Sequence, residues 1–589
     1  MLDIQTVAQN RYPEFFSQPR WVTKPILFLL KQLSQEKKLI TLQSEYSQEP
    51  GLQFVDRLLH VFDFKFKLTK NEKDHIPQLG PVLIVANQPI GSLDAMALLQ
   101  LVGSLRKDVK VLSENWLEEL DALKDVVITT HERDEKTYYQ DALTHLNHAG
   151  ALIIFPAKDV SSINATGIKD GRWTTQFIEL AEASQAPILP IHIRAKNSLL
   201  FYLFATVSSS LAKLWLVRET FHHSQKSVDL RIGKLIDSAS CLELNLPAKT
   251  KARLFRKQLY RLPKNKPSLF KTLAPIAAAE DRQALTREIT QCEPLGETKD
   301  NKLIYLYRYR ENSSVMQEIG RLREQAFRLI GEGTGAERDI DYFDHHYVHI
   351  VLWDAVDQEL VGAYRLYPTH SKDLAQNKLY TETLFHYQDS AKPMLEAGIE
   401  LGRSFVQPKY WGSRSLDYLW LGIAAFLRRH PQYRYLFGAV SISNSFSREA
   451  KGLMIGYYQH YYGASDPIVK CQKPYHLHGN HHAFANHLFD NLDSRAGFRV
   501  LKEQLSQLGY AVPMLYKQYT ELCTLGGTQF HGFNIDPDFQ DCVDGLVVVD
   551  LSQLTPLKRK RYGLEAHLTK MHGAIKQQQP TQGTEGREH

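Results

Sequence analysis

The stretch PVLIVANQPIGSLDAMALLQLVGSL, Pro81 to Leu105, runs from a short apolar block straight into a helical pattern. The block has strand length and no polar alternation, which marks a strand covered on both faces. Asn87 to Gly91 then turn the chain, and Ser92 stands where a helix N-cap is expected. A strand feeding directly into a helix is the repeating unit of an α/β layer fold. ALIIFPA (151–157), APILPIHI (186–193) and SVDLRIGKLI (227–236) repeat the strand reading, with helical patterns between them.

The chain has 589 residues, too many for one hydrophobic core, so two domains are expected. Near residue 265 the strand–helix texture gives way to prolines and charges. The reading is therefore a first domain over 1–265, a linker over 266–300, a second domain over 301–575 and a disordered polar tail over 576–589. Strands are expected in LIYLYRYR (303–310), HHYVHIVLWDA (345–355), ELVGAYRLYPT (359–369), LEAGIELGRSFVQP (395–408) and YRYLFGAVSI (433–442). Helices are expected in SVMQEIGRLREQAFRLIGE (314–332), SLDYLWLGIAAFLRRH (415–430) and SREAKGLMIGYYQHYYG (447–463).

A net charge of +6 leaves no global nucleic-acid footprint. Basic residues gather instead in KTKARLFRKQLYRLPKNK (249–266) and LKRKRYG (557–563), which suit anionic lipid, an acidic partner protein or plain solvated helix faces. The five cysteines are scattered and odd in number, which predicts a reducing compartment, the cytoplasm. The N-terminus has no signal-peptide pattern. LLFYLFATVSSSLAKLWLV (199–217) and WVTKPILFLLKQL (21–33) are too interrupted or too short to span a bilayer. They fit a membrane interface or a buried helix equally. HLHGNHHAFANH (476–487) lacks supporting ligands at metal spacing, so no metal is expected.

In the second half, RLREQAF sets Arg323 and Phe327 on one helix face, and RDIDYFD offers Asp339, Asp341 and Asp344. GAYRL places Arg365 on a strand, and ELGRSFV places Glu400, Arg403 and Ser404 on the next. The order of elements, β-α-β-β-β-α-β-α, is that of the GCN5-related N-acyltransferase (GNAT) fold. With these residues, from about Tyr305 past residue 550, the half resembles ornithine N-acyltransferases and, more distantly, acyl-homoserine-lactone synthases. The resemblance implies transfer of a 3-hydroxyacyl chain from acyl carrier protein to the α-amine of ornithine. An amine must lose a proton to attack a thioester, and Glu400 is the candidate base. Arg403 and Arg365 are candidates to grip the acceptor carboxylate. Asp341 and Asp344 are candidates for the ornithine side chain, and Arg323, Phe327 and Ser404 complete the expected site. Glycine, lysine or S-adenosylmethionine remain alternative acceptors. Coenzyme A users of this fold carry a glycine-rich pyrophosphate cradle after the central strand. Here the position reads QPKYWGSRS (407–415), with Tyr410 where the first glycine belongs, so a carrier-protein donor is expected, met by Lys409 and Arg414.

The first half, over about 81–236, resembles the lysophospholipid acyltransferases. Its motif NHPxGxxD appears as NQPIGSLD, keeping Asn87, Pro89, Gly91 and Asp94 but holding Gln88 where the catalytic histidine belongs. FPAKDVS (155–161) stands for a second motif, with Phe155, Pro156 and Asp159 as the expected acceptor contacts. An amide cannot take a proton near neutral pH. Loss of a general base costs about 10²–10⁴ in rate. The first half is thus either a silent module that binds acyl chain or membrane, or an O-acyltransferase with another base. His192 is one histidine that a different geometry would have to bring in. Taken together, the resemblances imply a bifunctional ornithine-lipid synthase with no cofactor. Its expected partners are acyl carrier protein, ornithine and a lyso-lipid at the inner membrane surface.

Overall fold

The computed structural model describes residues 50–113, 121–130, 134–157, 160–164, 167–202, 227–237, 246–369, 377–476 and 487–566, with single positions within 19–24 and 216–223. The chain divides into two compact units, Met1–Pro275 and Ile276–His589. Both mix helices and sheet, as the acyltransferase-like α/β and GNAT-like readings require.

The first unit is built on a nine-stranded sheet. Its main path uses β1 (Lys65–Lys67), β2 (Val82–Ala86), β3 (Val109–Ser113), β4 (Val127–Thr129), β5 (Ala151–Ile154), β6 (Ile188–Arg194) and β7 (Ser227–Ile232), in the order β1-β7-β6-β2-β5-β3-β4. All neighbours on this path are parallel except β6 and β7. Helices α1 (Leu52–Val61) and α2 (Ser92–Gly103) cover one face, and α3 (Glu135–Asn147), α4 (Gln176–Ser184) and α5 (Ala248–Leu259) the other. That is why β2 shows no alternation. Ile84 and Ala86 enter one core, Leu83 and Val85 the opposite one. β3 and β4 are strands that the sequence reading did not announce: Lys110 interrupts the apolar run of β3, and β4 is only three residues long.

The second unit carries an eight-stranded sheet. Its elements are α6 (Arg282–Ile289), β8 (Glu293–Glu297), β9 (Leu303–Arg308), α7 (Ser314–Leu329), β10 (Val348–Asp354), β11 (Glu359–Pro368), β12 (Gly398–Val406), α8 (Ser415–Arg429), β13 (Tyr435–Ile442), α9 (Arg448–Tyr462), α10 (Ser494–Gln507), β14 (Thr528–Asp536) and β15 (Cys542–Asp550). From β9 to α9 this is the expected order. The linker expected over 266–300 is replaced from residue 282 on by α6 and β8, and β8 pairs antiparallel with β9. Leu295, the one buried residue of β8, faces the main core, whereas the rest of the strand, two glutamates with a proline and a glycine, is exposed, which hid its pattern. Strand order is β8-β9-β10-β11-β12-β13-β15-β14. Helices α8 and α9 pack on one face and α6 and α7 on the other.

Two irregularities shape the middle of this sheet. β12 and β13 pair in parallel only from Gly398–Glu400 to Tyr435–Phe437, although both strands run on, so the sheet forks there. Beside the fork, β12 bulges against β11: Ala363 faces Phe405 but Arg365 faces Gly402. Arg403 sits in the bulge at φ +48°, a conformation an arginine adopts only when its surroundings enforce it.

No helix among the described residues is long and apolar enough to cross a membrane. The segments 21–33 and 199–217, the histidine-rich stretch and the tail after 575 lie wholly or mostly outside the described residues.

Candidate acyl-transfer sites

The bulge in β12 turns Arg403 toward the face that carries Glu400 and Arg365, under α7. There the six charged residues singled out in sequence close into a ring. Arg323 Nε lies 2.9 Å from Asp339 and its Nη2 2.7 Å from Asp344. Arg365 Nη1 lies 3.1 Å from Asp344 and 2.6 Å from Asp341. Arg403 closes the circuit at 3.2 Å from Asp341 and 3.4 Å from Asp339. Each arginine bridges two aspartates and each aspartate two arginines, so three positive charges meet three negative ones. His349 Nε2 adds a contact to Asp344 at 3.1 Å. Burial alone would raise the Asp344 carboxyl, but Arg323, Arg365 and His349 outweigh it and hold it well below the usual carboxylate range. Asp341 is lowered in the same way, its burial overcome by Arg365 and Arg403.

This ring corrects one expectation. Asp341 and Asp344 do not stand free for a cationic substrate, because the protein's own guanidiniums already occupy them. Arg403 is likewise engaged, with its guanidinium 4.1 Å above the Phe539 ring and 4.8 Å above that of Tyr380. Phe327 backs Phe539 edge-on at 5.4 Å and belongs to the apolar core, so it shapes the site without lining it. Arg365 differs. It is 1% exposed, and its Nε and Nη2 have no acceptor among the described residues. Rings of Tyr347, Tyr380 and Phe343 cover it.

Glu400 is buried, and its carboxylate gathers three donors. Thr381 N–H reaches Oε1 at 2.7 Å, Tyr380 N–H reaches Oε2 at 3.2 Å, and the Tyr347 hydroxyl donates to Oε2. Burial raises the proton affinity of Glu400 despite these donors. Ser404 is not part of this cluster. It lies beyond the bulge, beside the Tyr364 hydroxyl, which meets Tyr519 at 2.5 Å on the α8 side.

The turn expected to replace the pyrophosphate cradle spends its amides internally. The N–H groups of Tyr410, Trp411 and Ser413 donate to the carbonyls of Gln407, Pro408 and Tyr410. Lys409 is paired with Asp357 at 2.6 Å and Glu359 at 2.5 Å, and is not a free cation as expected. Arg414 reaches Asp417 at 3.5 Å and is mostly exposed.

A second group of acids went unnoticed in sequence. Glu332 follows α7, and Asp536 and Asp544 sit on β14 and β15. Asp536 Oδ2 accepts from the Tyr380 hydroxyl at 2.6 Å, so one tyrosine joins these acids to Glu400. The one legible signal was Asp544, which interrupts the apolar run of the strand CVDGLVVVD.

In the first unit, Asn87 ties β2 to β6 through both amide atoms, donating to the Ile193 carbonyl at 2.9 Å and accepting its N–H at 2.7 Å. Gly91 turns the chain at φ +95° into α2. Asp94, in the first turn of α2, accepts the N–H groups of Ile90 and Gly91 at 2.9 Å through Oδ2 alone. Its Oδ1 is buried without a partner among the described residues. Gln88 points its amide at the Gly91 carbonyl instead, at 3.3 Å. Burial, reinforced by Asp170, raises the Asp94 carboxyl well above its usual range. The second motif is held by Asp170, which accepts from Ser161 at 2.6 Å and from Trp173 at 3.0 Å. Phe155 is buried, and the Pro156 carbonyl accepts Thr174 N–H at 2.9 Å. Asp159 lies outside the described residues. His192 is not bonded to Asp94. Its ring sits edge-on to Tyr260 at 5.4 Å, and burial, with Arg194, lowers it to about 4.

Both sites are thus of acyltransferase type, one on an acyltransferase α/β scaffold and one on a GNAT scaffold. Residues 22–267 match the acyltransferase family, and residues 322–421 match the acetyltransferase (GNAT) domain family. A glycine N(alpha)-acyltransferase of Bacteroides thetaiotaomicron is 30% identical over 296 residues, covering 48% of this chain and 87% of that protein. The chain belongs to the family of that N(alpha)-acyltransferase, and it is an acyltransferase. A lyso-glycine lipid O-acyltransferase of Phocaeicola vulgatus is 23% identical over 274 residues, covering 44% of this chain and 95% of that protein. An L-ornithine N(alpha)-acyltransferase of Brucella abortus is 32% identical over 135 residues, covering 20% of this chain and 47% of that protein.

Proposed function

We propose that this chain makes an ornithine lipid by two successive acyl transfers, as a bifunctional ornithine-lipid synthase. The observation that carries the reading is the pairing itself. In Bacteroides thetaiotaomicron and in Phocaeicola vulgatus, an N(alpha)-acyltransferase and a lyso-lipid O-acyltransferase are separate proteins, and both kinds resemble this one chain.

In the second unit the α-amine of ornithine attacks the thioester carbonyl of a 3-hydroxyacyl carrier protein. A C–N bond forms, the C–S bond breaks, and the carrier leaves as its thiol. The unpartnered Nε/Nη2 edge of Arg365 takes the acceptor carboxylate, since a buried guanidinium edge without an acceptor costs stability until one arrives. Glu400 takes the amine's proton through the Tyr347 hydroxyl, which gives up its own proton as it receives one. The internally bonded turn at 407–413 supports a carrier-protein donor, because few of its amides are left for a pyrophosphate. No cofactor takes part.

In the first unit the 3-hydroxyl of the lyso-lipid attacks a second acyl thioester: an ester C–O bond forms, the C–S bond breaks, and the donor leaves as its thiol. With Gln88 in place of a histidine, Asp94 Oδ1 is the available proton acceptor, and its raised proton affinity suits it to the task. Lys249, Arg253 and Lys257 on one side of α5 are exposed and suit peripheral attachment to an anionic inner-membrane surface facing the cytoplasm.

Glycine is the second acceptor reading, favoured by the 30% identity to a protein named for glycine. Purified protein given 3-hydroxyacyl carrier protein and either amino acid separates the two. Ornithine is expected to be acylated in preference, and exclusive use of glycine would overturn the assignment.

A further inference from the structure

The charge balance around the second site leaves a surplus. The ring uses its three arginines on its three aspartates, and Glu400 has three donors of its own. Glu332, Asp536 and Asp544 remain, all buried, and among the described residues Arg403 is the cation that acts on Glu332 and Asp544.

Glu332 is the telling member. It is only 8% exposed, and the influences on its carboxyl are burial, Asp544 and Arg403, with no hydrogen bond among them. Its place is fixed from both sides by backbone contacts. Ser443, at the end of β13, donates to the Ile330 carbonyl at 2.8 Å, and Gln540, in the β14–β15 turn, donates to the Gly333 carbonyl at 3.0 Å. This holds Glu332 over the paired ends of β13 and β15, where Asp544 stands opposite Ser441. Asp544 accepts from the Ser441 side chain and from the Cys542 thiol at 3.5 Å; it repels the Glu332 carboxyl, and both acids feel Arg403. Cys542 and Tyr516 face the same acids, and Asp536 links them through Tyr380 to Glu400.

A buried acid beside other acids keeps its proton unless a cation enters to stabilise its charged form. We propose that Glu332 and Asp544 form the specificity site for the side-chain ammonium of a dibasic amino acid acceptor, displacing Asp341 and Asp344 from that role. The proposal rests on the N-acylation reading above and adds the residues that select the acceptor. It also fits the surroundings: the α-carboxylate goes to Arg365, the α-amine to the Tyr347–Glu400 side, and the second ammonium past Tyr380 to the acids.

The test compares ornithine with norvaline, which has the same carbon chain and no side-chain ammonium, as acceptors for the full chain with 3-hydroxyacyl carrier protein. The unmodified protein is expected to favour ornithine by well over about tenfold in kcat/KM. In Glu332→Gln and Asp544→Asn the ornithine-to-norvaline ratio should collapse toward one, mainly through the KM for ornithine. A ratio is insensitive to partial loss of folded protein, which lowers both rates alike. Equal use of the two acceptors by the unmodified protein, or an unchanged ratio in both variants, would overturn the proposal. If no amino acid is acylated at all, the N-acylation reading falls and takes this one with it. Good turnover of both acceptors without discrimination would leave that reading standing and sink this one alone.

Discussion

Replacing one carboxylate of the arginine–aspartate ring leaves two buried guanidiniums short of a partner. Breaking a buried ion pair from one side typically costs about 3–5 kcal/mol. Asp344→Asn should therefore lower the urea midpoint of the second unit markedly, and a midpoint equal to that of the unmodified protein would show that the ring carries no stability. The two groups of acids also give opposite pH signatures. Asp341 and Asp344 have folded-state values below their unfolded ones, so their contribution is present at neutral pH and is lost in acid. Glu332 and Asp544 are raised to about 8 and about 7, so the stability of the unliganded protein falls as pH rises from about 5 to about 8. Glu332→Gln should flatten that fall, as read by thermal melting across the range. An identical slope in the variant would mean that Glu332 is not held protonated. For catalysis, Glu400→Gln should lower N-acylation by about 10²–10⁴. Retention of full activity would remove Glu400 from the proton path. Sequence picked out the six ring residues but not their pairing, because charge alone does not say which acid meets which base. It therefore offered Asp341 and Asp344 to the substrate when the protein itself holds them. Glu332 and Asp544 come from opposite ends of the second unit, and only the folded sheet brings them together.

Among the elements, the fork between β12 and β13 and the bulge in β12 do most to define the second site. A Cβ at Gly438 would lie 2.1 Å from the Leu401 carbonyl oxygen, a contact with backbone that cannot swing away. Gly438→Ala should force the fork apart and lower the melting temperature by roughly 5 °C or more. A variant that melts with the unmodified protein would mean the strands have slack there. The regular elements were legible because their apolar periods are clear: β10 and β11 fill both faces of the sheet, and α7 and α8 each bury a stripe. The irregular ones were not. A bulge leaves no periodic trace, and it is what separates Ser404 from Arg403 although they are adjacent in sequence. Strand β8 was hidden for a related reason, since an edge strand that buries a single residue reads as linker.

At the scale of the whole chain, two acyltransferase scaffolds occur in one polypeptide, and the motif GSLD of the first is intact around Asp94. Its carboxylate keeps one buried oxygen without a hydrogen-bond partner among the described residues. The decisive measurement is lipid mass spectrometry of a host that makes no ornithine lipid, expressing this protein or its Asp94→Asn variant. Doubly acylated ornithine from the unmodified protein, replaced by the singly acylated form in the variant, is the expected result. Singly acylated ornithine from both would leave only the second unit active, and no acylated ornithine from either would contradict the ornithine-lipid assignment itself.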